Sequence, residues 1–480
     1  MTKEGRFKEN HILYAENAGD LHWDIEVDVL VIGGGGCGLV ASLAAAQKGA
    51  RVFLVEKGKA AGGNTSLSQA MVPAAGTRLQ KDAGIDDSAE RMTEDILKKN
   101  KQGSDPDLTL RVARESSRLV EWLSDSEGID LELVREFIYP GHSQFRIHAN
   151  RTRKGEHLIN ELLQAASRYE NLDIAYNAPA QRLVAAQREG VVLGAEVEIE
   201  GIGKNLARAK KVVLALNGFG ANREMLTKYI PEMKDAYYFG HEDNTGEGIL
   251  WGEALGGALD CMGAYQAHGS VAYPHGTLLT WAVISLGGYQ VNLQGKRFVD
   301  EYHGYSEHAL DVLAQEDGVA IEVFDDRIYQ AVHTYEDFQQ CIRMGAIRKF
   351  DTIEELADSF RLPSKEMIST HAAFQKATSG QIADPLGRTQ FEGLLKPPFY
   401  GVKVTGALFH TQGGLRVNTL AQVVRPDGSV VPNLYAGGGT AAGFSGKTGP
   451  SGYLSANGLL AALVLGKIAG EAAAEATLRR

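Results

Sequence analysis

The apolar positions of this chain change period along its length, and the changes mark its parts. Residues 27–32 and 51–55 are short, largely apolar runs of buried-strand length. A glycine-rich turn separates the first run from an alanine-rich stretch, 39–48, which predicts a helix ended by Gly49. Residues 88–99 predict another helix. The next takes Asp105 as cap and Pro106 in its first turn, points Leu108, Val112, Leu119 and Leu123 inward, and stops before Gly128. Residues 155–168 repeat the amphipathic pattern. Stretches 172–176, 182–186, 191–199 and 211–216 alternate apolar and polar residues, as a small half-exposed sheet would. Helices follow Asn222 and the run Thr245-Gly246-Glu247-Gly248, the second through Ala254. Residues 61–66 and 139–148 are polar and predict irregular loops. Residues 1–26 carry no clear element.

From about residue 270 the strand pattern turns irregular, turn residues multiply, and helices are predicted at 352–360 and 364–378. After 399 the chain returns to strands and glycines. A strand is predicted at 415–418, a hairpin at Asp427-Gly428, and a buried strand at 433–436 that enters Gly437-Gly438-Gly439. A long helix starts near Asn457. The organisation expected is one domain in two pieces, 1–269 and 400–480, with an α+β domain inserted over 270–399.

Composition narrows the chemistry. A chain of 480 residues is too long for one small core. The net charge of -11, with no basic stripe, excludes nucleic acid as an expected partner. The polar first 26 residues do not read as a signal peptide. The longest apolar stretch, 458–466, is too short to span a bilayer, so no membrane insertion and a cytoplasmic location are expected. Cys37, Cys261 and Cys341 are isolated, which offers no disulfide framework, haem or iron–sulfur site; no metal site is predicted.

The turn after the first strand carries Gly33, Gly35 and Gly38 in G-x-G-x-x-G spacing, and Glu56 closes the second strand 18 residues past Gly38. Each has a job in binding a dinucleotide. Gly33 permits the tight turn, Gly35 lets backbone approach a pyrophosphate, and Gly38 lets the helix lie close to the sheet. Free N–H groups at the helix start hold phosphate charge. Glu56 accepts hydrogen bonds from ribose hydroxyls. The unit by itself does not separate FAD from NAD.

Seven stretches occur in a telling order: the first βαβ unit, G-G-N-T at 62–65, G-F-G-A-N at 218–222, T-G-E-G at 245–248, H-T-Q-G-G at 410–414, L-Y-A-G-G-G at 434–439 and S-A-N-G-L at 455–459. In that order the chain resembles the FAD-dependent fumarate reductase / succinate dehydrogenase flavoprotein family, which includes 3-ketosteroid dehydrogenases. The resemblance covers about residues 26 to 470. It implies an α/β fold, a Rossmann-like FAD-binding domain with an inserted α+β capping (substrate) domain. It implies FAD contacts at Gly33, Gly35, Gly36, Gly38, Glu56 and Lys57, then at Gly62, Gly63, Asn64 and Thr65. Further contacts fall at Ala180, Asn217, Gly218, Gly438 and Gly439, and at Ser455, Asn457 and Leu459 around the start of the last helix. A helix N-terminus there suits the anionic end of a reduced flavin. Relatives that attach FAD covalently use a His just after the G-G-N-T-like loop. Residues 66–76 contain none, so non-covalent FAD is expected.

The substrate positions depart from the fumarate pattern. Two carboxylates taken out of water need several cations. The family's Arg proton donor, a few residues beyond an R-F-V-N-E-like run, falls here on Tyr305, with Tyr302 as neighbour. The loop before the last helix, 445–453, holds Lys447 but no Arg, and a Thr-Glu pair appears as Thr280-Trp281. His410-Thr411 is kept. Tyr453-Leu454-Ser455 resembles the Y-x-S element of Δ4-type ketosteroid desaturases. Tyr305, Tyr453, Tyr302, His410 and Ser455 are therefore the catalytic candidates. His268 is a further candidate near the substrate, and Ser143, Arg146 and His148 are candidates for the pocket mouth.

The pattern predicts an FAD-dependent enzyme of CH–CH bonds, first a desaturase of a cyclic ketone or 3-ketosteroid in which a Tyr takes the α proton and the β hydride goes to flavin N5. The alternative is a reductase of an α,β-unsaturated carboxylate, similar to fumarate or urocanate reductases, with His410 and Lys447 on the carboxylate. A flavin-binding redox sensor without turnover is the alternative of another class. The expected partners are a small-molecule substrate (cyclic ketone, steroid or enoate) and a diffusible electron acceptor or donor. The sequence fixes no oligomeric state.

Overall fold

The computed structural model describes residues 11–136 and 138–478; the first ten residues of the expected extension lie outside them. The chain divides into two compact units. Unit 1 runs to Ile230, then takes Gly240–Tyr265 and His410 onward; unit 2 comprises Pro231–Phe239 and Gln266–Phe409.

Unit 1 opens with β1 (Ile12–Ala15), so part of the region without a predicted element is a strand. β2 (Ile25–Ile32) buries its last four residues and runs into α1 (Gly36–Gln47). That helix starts three residues before the expected Leu39, which puts Gly36 and Gly38 inside its first turn. β3 (Val52–Val55) pairs in parallel with β2. The segment expected to be irregular at 61–66 forms a helical turn, α2 (Gly63–Ser66), whose Thr65 hydroxyl accepts from Gly36 N–H at 3.2 Å. α3 (Ala89–Lys99) and α4 (Pro106–Asp125) follow. Asp105 caps α4 by accepting from the N–H groups of Asp107 and Leu108. The stretch 139–148 is irregular until its end, where Ile147–Ala149 forms a strand.

After α5 (Gly155–Ala166) come β4 (Leu172–Ala175), β5 (Ala180–Ala186), β6 (Val192–Ile199) and β7 (Gly203–Leu214). They do not form the separate small sheet that their alternation predicts. β4 pairs with β3, and β7, twelve residues long, pairs antiparallel with β6 at one end and parallel with β2 at the other. One strand long enough to serve both neighbours merges the two patterns into one nine-stranded sheet. α6 (Arg223–Tyr229) and α7 (Glu247–Ala254) complete this part.

Unit 2 is built on β8 (Tyr237–Tyr238), β9 (Gly263–Ala272), β10 (Tyr289–Val291), β11 (Val319–Asp325) and β12 (Phe399–Thr411), with β9 and β12 continuing into unit 1. β9, β12, β11 and β10 lie side by side in that order, and β8 adds to β12. α8 (Tyr305–Leu313), α9 (Ile353–Phe360) and α10 (Ser364–Thr378) accompany the sheet. Its core buries Val323, Phe324, Phe374, Val402 and Val404. The unit is wider than 270–399 because β12 is its central strand and β8 pairs there. Gly401 and Gly406 in β12 are packing sites. A Cβ on Gly401 would sit 2.5 Å from the Phe360 ring, and one on Gly406 would sit 2.3 Å from Ala309 O.

The chain then re-enters unit 1. β13 (Gln422–Val424) and β14 (Val430–Ala436) form the hairpin expected at Asp427-Gly428, and β14 joins β7 in parallel. α11 (Asn457–Leu478) ends the described chain. It crosses α1 closely: a Cβ on Gly466 would stand 2.5 Å from Cys37 O, and one on Gly470 would stand 2.1 Å from Ala41 O. Among the described residues, no helix is long and apolar enough to cross a membrane.

Candidate active site

In unit 1 the parallel strands β2, β7 and β14 all end in glycine turns, the position where open α/β sheets bind their ligands. Gly33 has φ +110, and a Cβ there would stand 2.6 Å from Ala215 O. A Cβ on Gly38 would come 1.8 Å from Gly33 O. These two glycines are fixed by backbone touching backbone. Gly35 differs: an added Cβ meets only Gly62 O, at an ordinary 3.6 Å, so backbone is open there to a close ligand. Gly62 N–H bonds Gly34 O at 3.1 Å, which lays the 62–65 segment beside the first turn. At the other turns, a Cβ on Gly439 would lie 2.3 Å from Asn217 Oδ1, and one on Gly218 would lie 2.1 Å from Thr411 Oγ1. Asn217-Gly218 and Gly438-Gly439 are thus locked together.

Glu56 accepts from Gly34 N–H at 2.6 Å and from Gly58 N–H at 2.7 Å, one bond on each oxygen. Each oxygen keeps a second lone pair for a ribose hydroxyl. Ala178 N–H bonds Glu56 O, so the chain leading to Ala180, at the start of β5, backs this residue. Asn457, in the first turn of α11, is fully buried, yet neither its Oδ1 nor its Nδ2 has a partner. An orphaned amide of this kind costs stability unless a ligand satisfies it. Ala456, just before it, holds φ +66. Leu459 packs on the core one residue past Gly458. The open Gly35 backbone and the orphaned Asn457 fit a flavin dinucleotide.

Beside the start of α11, unit 1 gathers His410, Tyr453 and Gly458. The rings of His410 and Tyr453 meet edge to face at 5.5 Å. A Cβ at 458 would be 2.8 Å from His410 Nε2, so the imidazole lies directly on Gly458. Ser445 donates to Gln412 Oε1 at 2.9 Å, and Gln412 Nε2 faces His410 Nδ1 at 3.0 Å. The amide therefore donates, His410 Nδ1 accepts, and the ring hydrogen sits on Nε2. Burial lowers His410 to about 4, which keeps it a neutral N–H donor. Burial pushes Tyr453 up to about 12, although Gly458 N–H donates to its oxygen at 3.4 Å; it is a phenol, not a phenolate. Ser455 is buried, its N–H on Pro140 O and its carbonyl accepting from His142. Gln412 and Ser445 escaped the sequence reading. Their signal was present, since Gln412 stands inside H-T-Q-G-G.

In unit 2, Tyr305 is the first residue of α8, behind Gly304 at φ +141. Its ring stacks on His268 at 5.1 Å and meets Trp281 at 5.9 Å. His268 also stacks on Phe409 at 5.6 Å, and Phe409 on Phe239 at 4.7 Å. The result is a continuous aromatic face. His268 is lowered to about 3, by burial first and the neighbouring His308 second, so it adds no charge. Phe239 and Phe409 carry no sequence signal, because single aromatic residues far apart in the chain are usually core. Tyr302 is exposed, with the Arg388 guanidinium 5.8 Å from its ring. Arg297 and Glu301, read as a marker for the proton donor, form a buried ion-pair network with Asp384 and Arg388. Removing one member would strand a buried charge, so the network fixes the turn that delivers Tyr305.

Other candidates have internal partners. Lys57 donates to Asp243 O at 2.6 Å and pairs with Glu247 at 3.1 Å. Asn64 Oδ1 accepts from His241 N–H and from Asn244 Nδ2. Lys447 pairs with Asp260 at 2.6 Å. Arg146 is buried between Asp87 and Asp95, Ser143 donates to Asp95, and buried His148 contacts Thr77 Oγ1 and Arg146 O.

Comparison with known proteins places this arrangement. A family model described as an FAD binding domain matches residues 28–452. A probable fumarate reductase of Shewanella frigidimarina is 32% identical over 458 residues, 94% of this chain and 75% of that protein. A urocanate reductase of Eggerthella lenta is 30% identical over 427 residues, 86% of this chain and 69% of the relative. The open conformation of a flavocytochrome c3 fumarate reductase superposes with a TM-score of 0.82 at 29% identity, covering 95% of this chain and 79% of that one.

Proposed function

The chain belongs to the FAD-binding-domain flavoproteins and is an FAD-dependent oxidoreductase of CH–CH bonds, and we propose that it reduces the double bond of an α,β-unsaturated carboxylate bearing a flat, largely uncharged substituent. The observation that carries this reading is the aromatic face of unit 2, Phe239-Phe409-His268-Tyr305-Trp281. A second carboxylate, as in fumarate, would need cations. The one cation in the loop 445–453, Lys447, is already paired with Asp260. Relatives named for fumarate and urocanate reduction support the reaction class. Urocanate, a ring on an acrylate, supports the shape.

When bound, FAD supplies the electron pair to the double bond. The chain's own residues do the rest. His410 Nε2–H donates to the carboxylate oxygen that gains charge, a preorganised donor of the oxyanion-hole kind. Tyr305 delivers a proton to the α carbon. Direction matters here. A phenol that holds its proton can serve as the acid. Desaturation would need it as phenolate, and Tyr453, pushed up to about 12, is no better as a base. The electrons come from a diffusible donor.

The same aromatic face also suits a cyclic enone, which keeps the ring-ketone reading in the test. Flavin-loaded protein, reduced without oxygen, is mixed with fumarate, urocanate and cyclohex-2-enone, and the return of oxidised flavin is followed. Urocanate should reoxidise it at least about 100-fold faster than fumarate, the order of discrimination an apolar pocket reaches. Fumarate as the fastest oxidant would overturn the proposed pocket. Cyclohexenone as the fastest would return the enzyme to ketones.

A further inference from the structure

Two histidines and one aspartate flank Tyr305 in unit 2. His303 ends the short turn Glu301–His303; His308 and Asp311 lie one helical turn apart on α8. Their nearest ligand-type atoms all lie within 4.8 Å of one another. His303 Nε2 is 3.2 Å from Asp311 Oδ2, and His308 Nδ1 is 3.8 Å from the same oxygen.

Hydrogen bonds on the far side fix the tautomers. Gln290 Nε2 donates to Gly269 O at 3.2 Å, and a carbonyl can only accept, so Gln290 Oε1 is the face turned to His308. His308 Nε2, 2.9 Å from that oxygen, must carry its hydrogen, which leaves the Nδ1 lone pair pointing toward Asp311. The His308 side chain is wholly buried, and Nδ1 has no hydrogen-bond partner. His303 repeats the arrangement. Its Nδ1 contacts Asp300 O and must donate to it, which turns the Nε2 lone pair toward Asp311.

Three electron-pair donors thus converge with each imidazole held from behind by an oxygen acceptor. Metal-binding histidines are oriented in this way. A proton on His303 would explain its contact with Asp311, but leaves the buried His308 lone pair facing a carboxylate with nothing between. One divalent ion satisfies all three. Two of the three separations, 3.2 and 3.8 Å, bracket the roughly 3.4 Å edge of a tetrahedron with Zn²⁺ bonds of ~2.0–2.1 Å, and the third, between the two imidazoles, is within 4.8 Å. His303 and Asp311 are each about one-third exposed, which leaves a fourth position to water. We infer that His303, His308 and Asp311 form a Zn²⁺ site of two imidazoles and one carboxylate. The ion would tie the turn before Tyr305 to the helix after it.

The test is calorimetric titration of Zn²⁺ into chelator-treated, flavin-loaded protein, with His303→Ala and Asp311→Asn beside it. Both side chains are partly exposed, so the variants should fold and keep their flavin, which absorbance verifies. The expected result is one ion per chain, with binding weakened at least about ten-fold in each variant, the least that loss of even a supporting partner costs. Co²⁺ should give ligand-field bands in the wild type that are lost in both variants. Absence of uptake at 100-fold excess Zn²⁺, or uptake unchanged in the two variants, would overturn the site. Neither readout depends on which substrate the enzyme reduces.

Discussion

The cofactor cradle of unit 1 and the proposed substrate face of unit 2 are built by opposite means. The cradle works through backbone: Gly33 and Gly38 are fixed by carbonyls 2.6 and 1.8 Å from any added Cβ, and Glu56 is held by two main-chain N–H groups. The face works through side chains. Phe239, His268, Trp281, Tyr305 and Phe409 come from five separate stretches and contact one another ring to ring. Backbone recognition demands particular residues at particular spacings. Ring stacking accepts any arrangement that brings planes together. The first is therefore costly to alter and the second adaptable, which suits a shared cofactor and variable substrates.

The contrast can be broken at four places. Gly38→Ala should have the largest effect. Its methyl would overlap Gly33 O, and overpacking against backbone costs about 1–3 kcal/mol or more. The variant should purify without flavin; a normally yellow protein would show that the cradle is more yielding than its geometry. Next comes Tyr305→Phe, which keeps the ring stacked on His268 and removes only the hydroxyl. It should bind flavin normally and lose about 10²–10⁴-fold in turnover. Tyr453→Phe belongs beside it. A loss there alone would move the proton transfer to unit 1, and full activity in both would make His410 the next candidate.

Glu56→Ala is milder. It removes the ribose acceptor and orphans two N–H groups, at about 1–3 kcal/mol, so FAD should bind roughly 5–150-fold more weakly and excess FAD should restore activity. Unchanged affinity would mean that Glu56 only braces the turn. In the wild type, acid should release all the flavin; a yellow pellet would reveal a covalent link. The smallest effect tests unit 2 alone. Buried Glu322 is raised from 4.5 to about 8, by burial above all. Between those values the native state holds a proton that the unfolded chain has lost, so this contribution to stability is full below pH 4.5 and is lost as pH rises through 8. Glu322→Gln should flatten the decline in Tm between pH 5 and 8 by about 2–4 °C. Parallel pH slopes in the two proteins would refute the assignment.

The same contrast governs what the sequence discloses. The strand–turn–helix, the Asp105 cap, the hairpin at Asp427-Gly428 and the last helix were legible because each rests on local chemistry. β12 was not, since the role of Gly401 and Gly406 shows only where Phe360 and Ala309 pack on them. The nine-stranded sheet was not, because β7 pairs with β6 and with β2, which lies far from it in the chain. Arg297 and Glu301 were legible as a landmark but not as a buried ion-pair network, since Asp384 lies far along the chain. His303, His308 and Asp311 passed unnoticed because lone-pair direction depends on Gln290 and Asp300 O.

One contact has a bearing on how the protein is made. α1 lies against α11 with Gly466 and Gly470 nearly touching its carbonyls, and Asn457 belongs to that same final helix. A ribosome releases the glycine turn early, but the helix that covers it emerges some four hundred residues later. A nascent chain therefore carries an unfinished nucleotide pocket until that helix has emerged. Chains truncated before residue 457 should stay colourless, and yellow colour would then report translation through that helix.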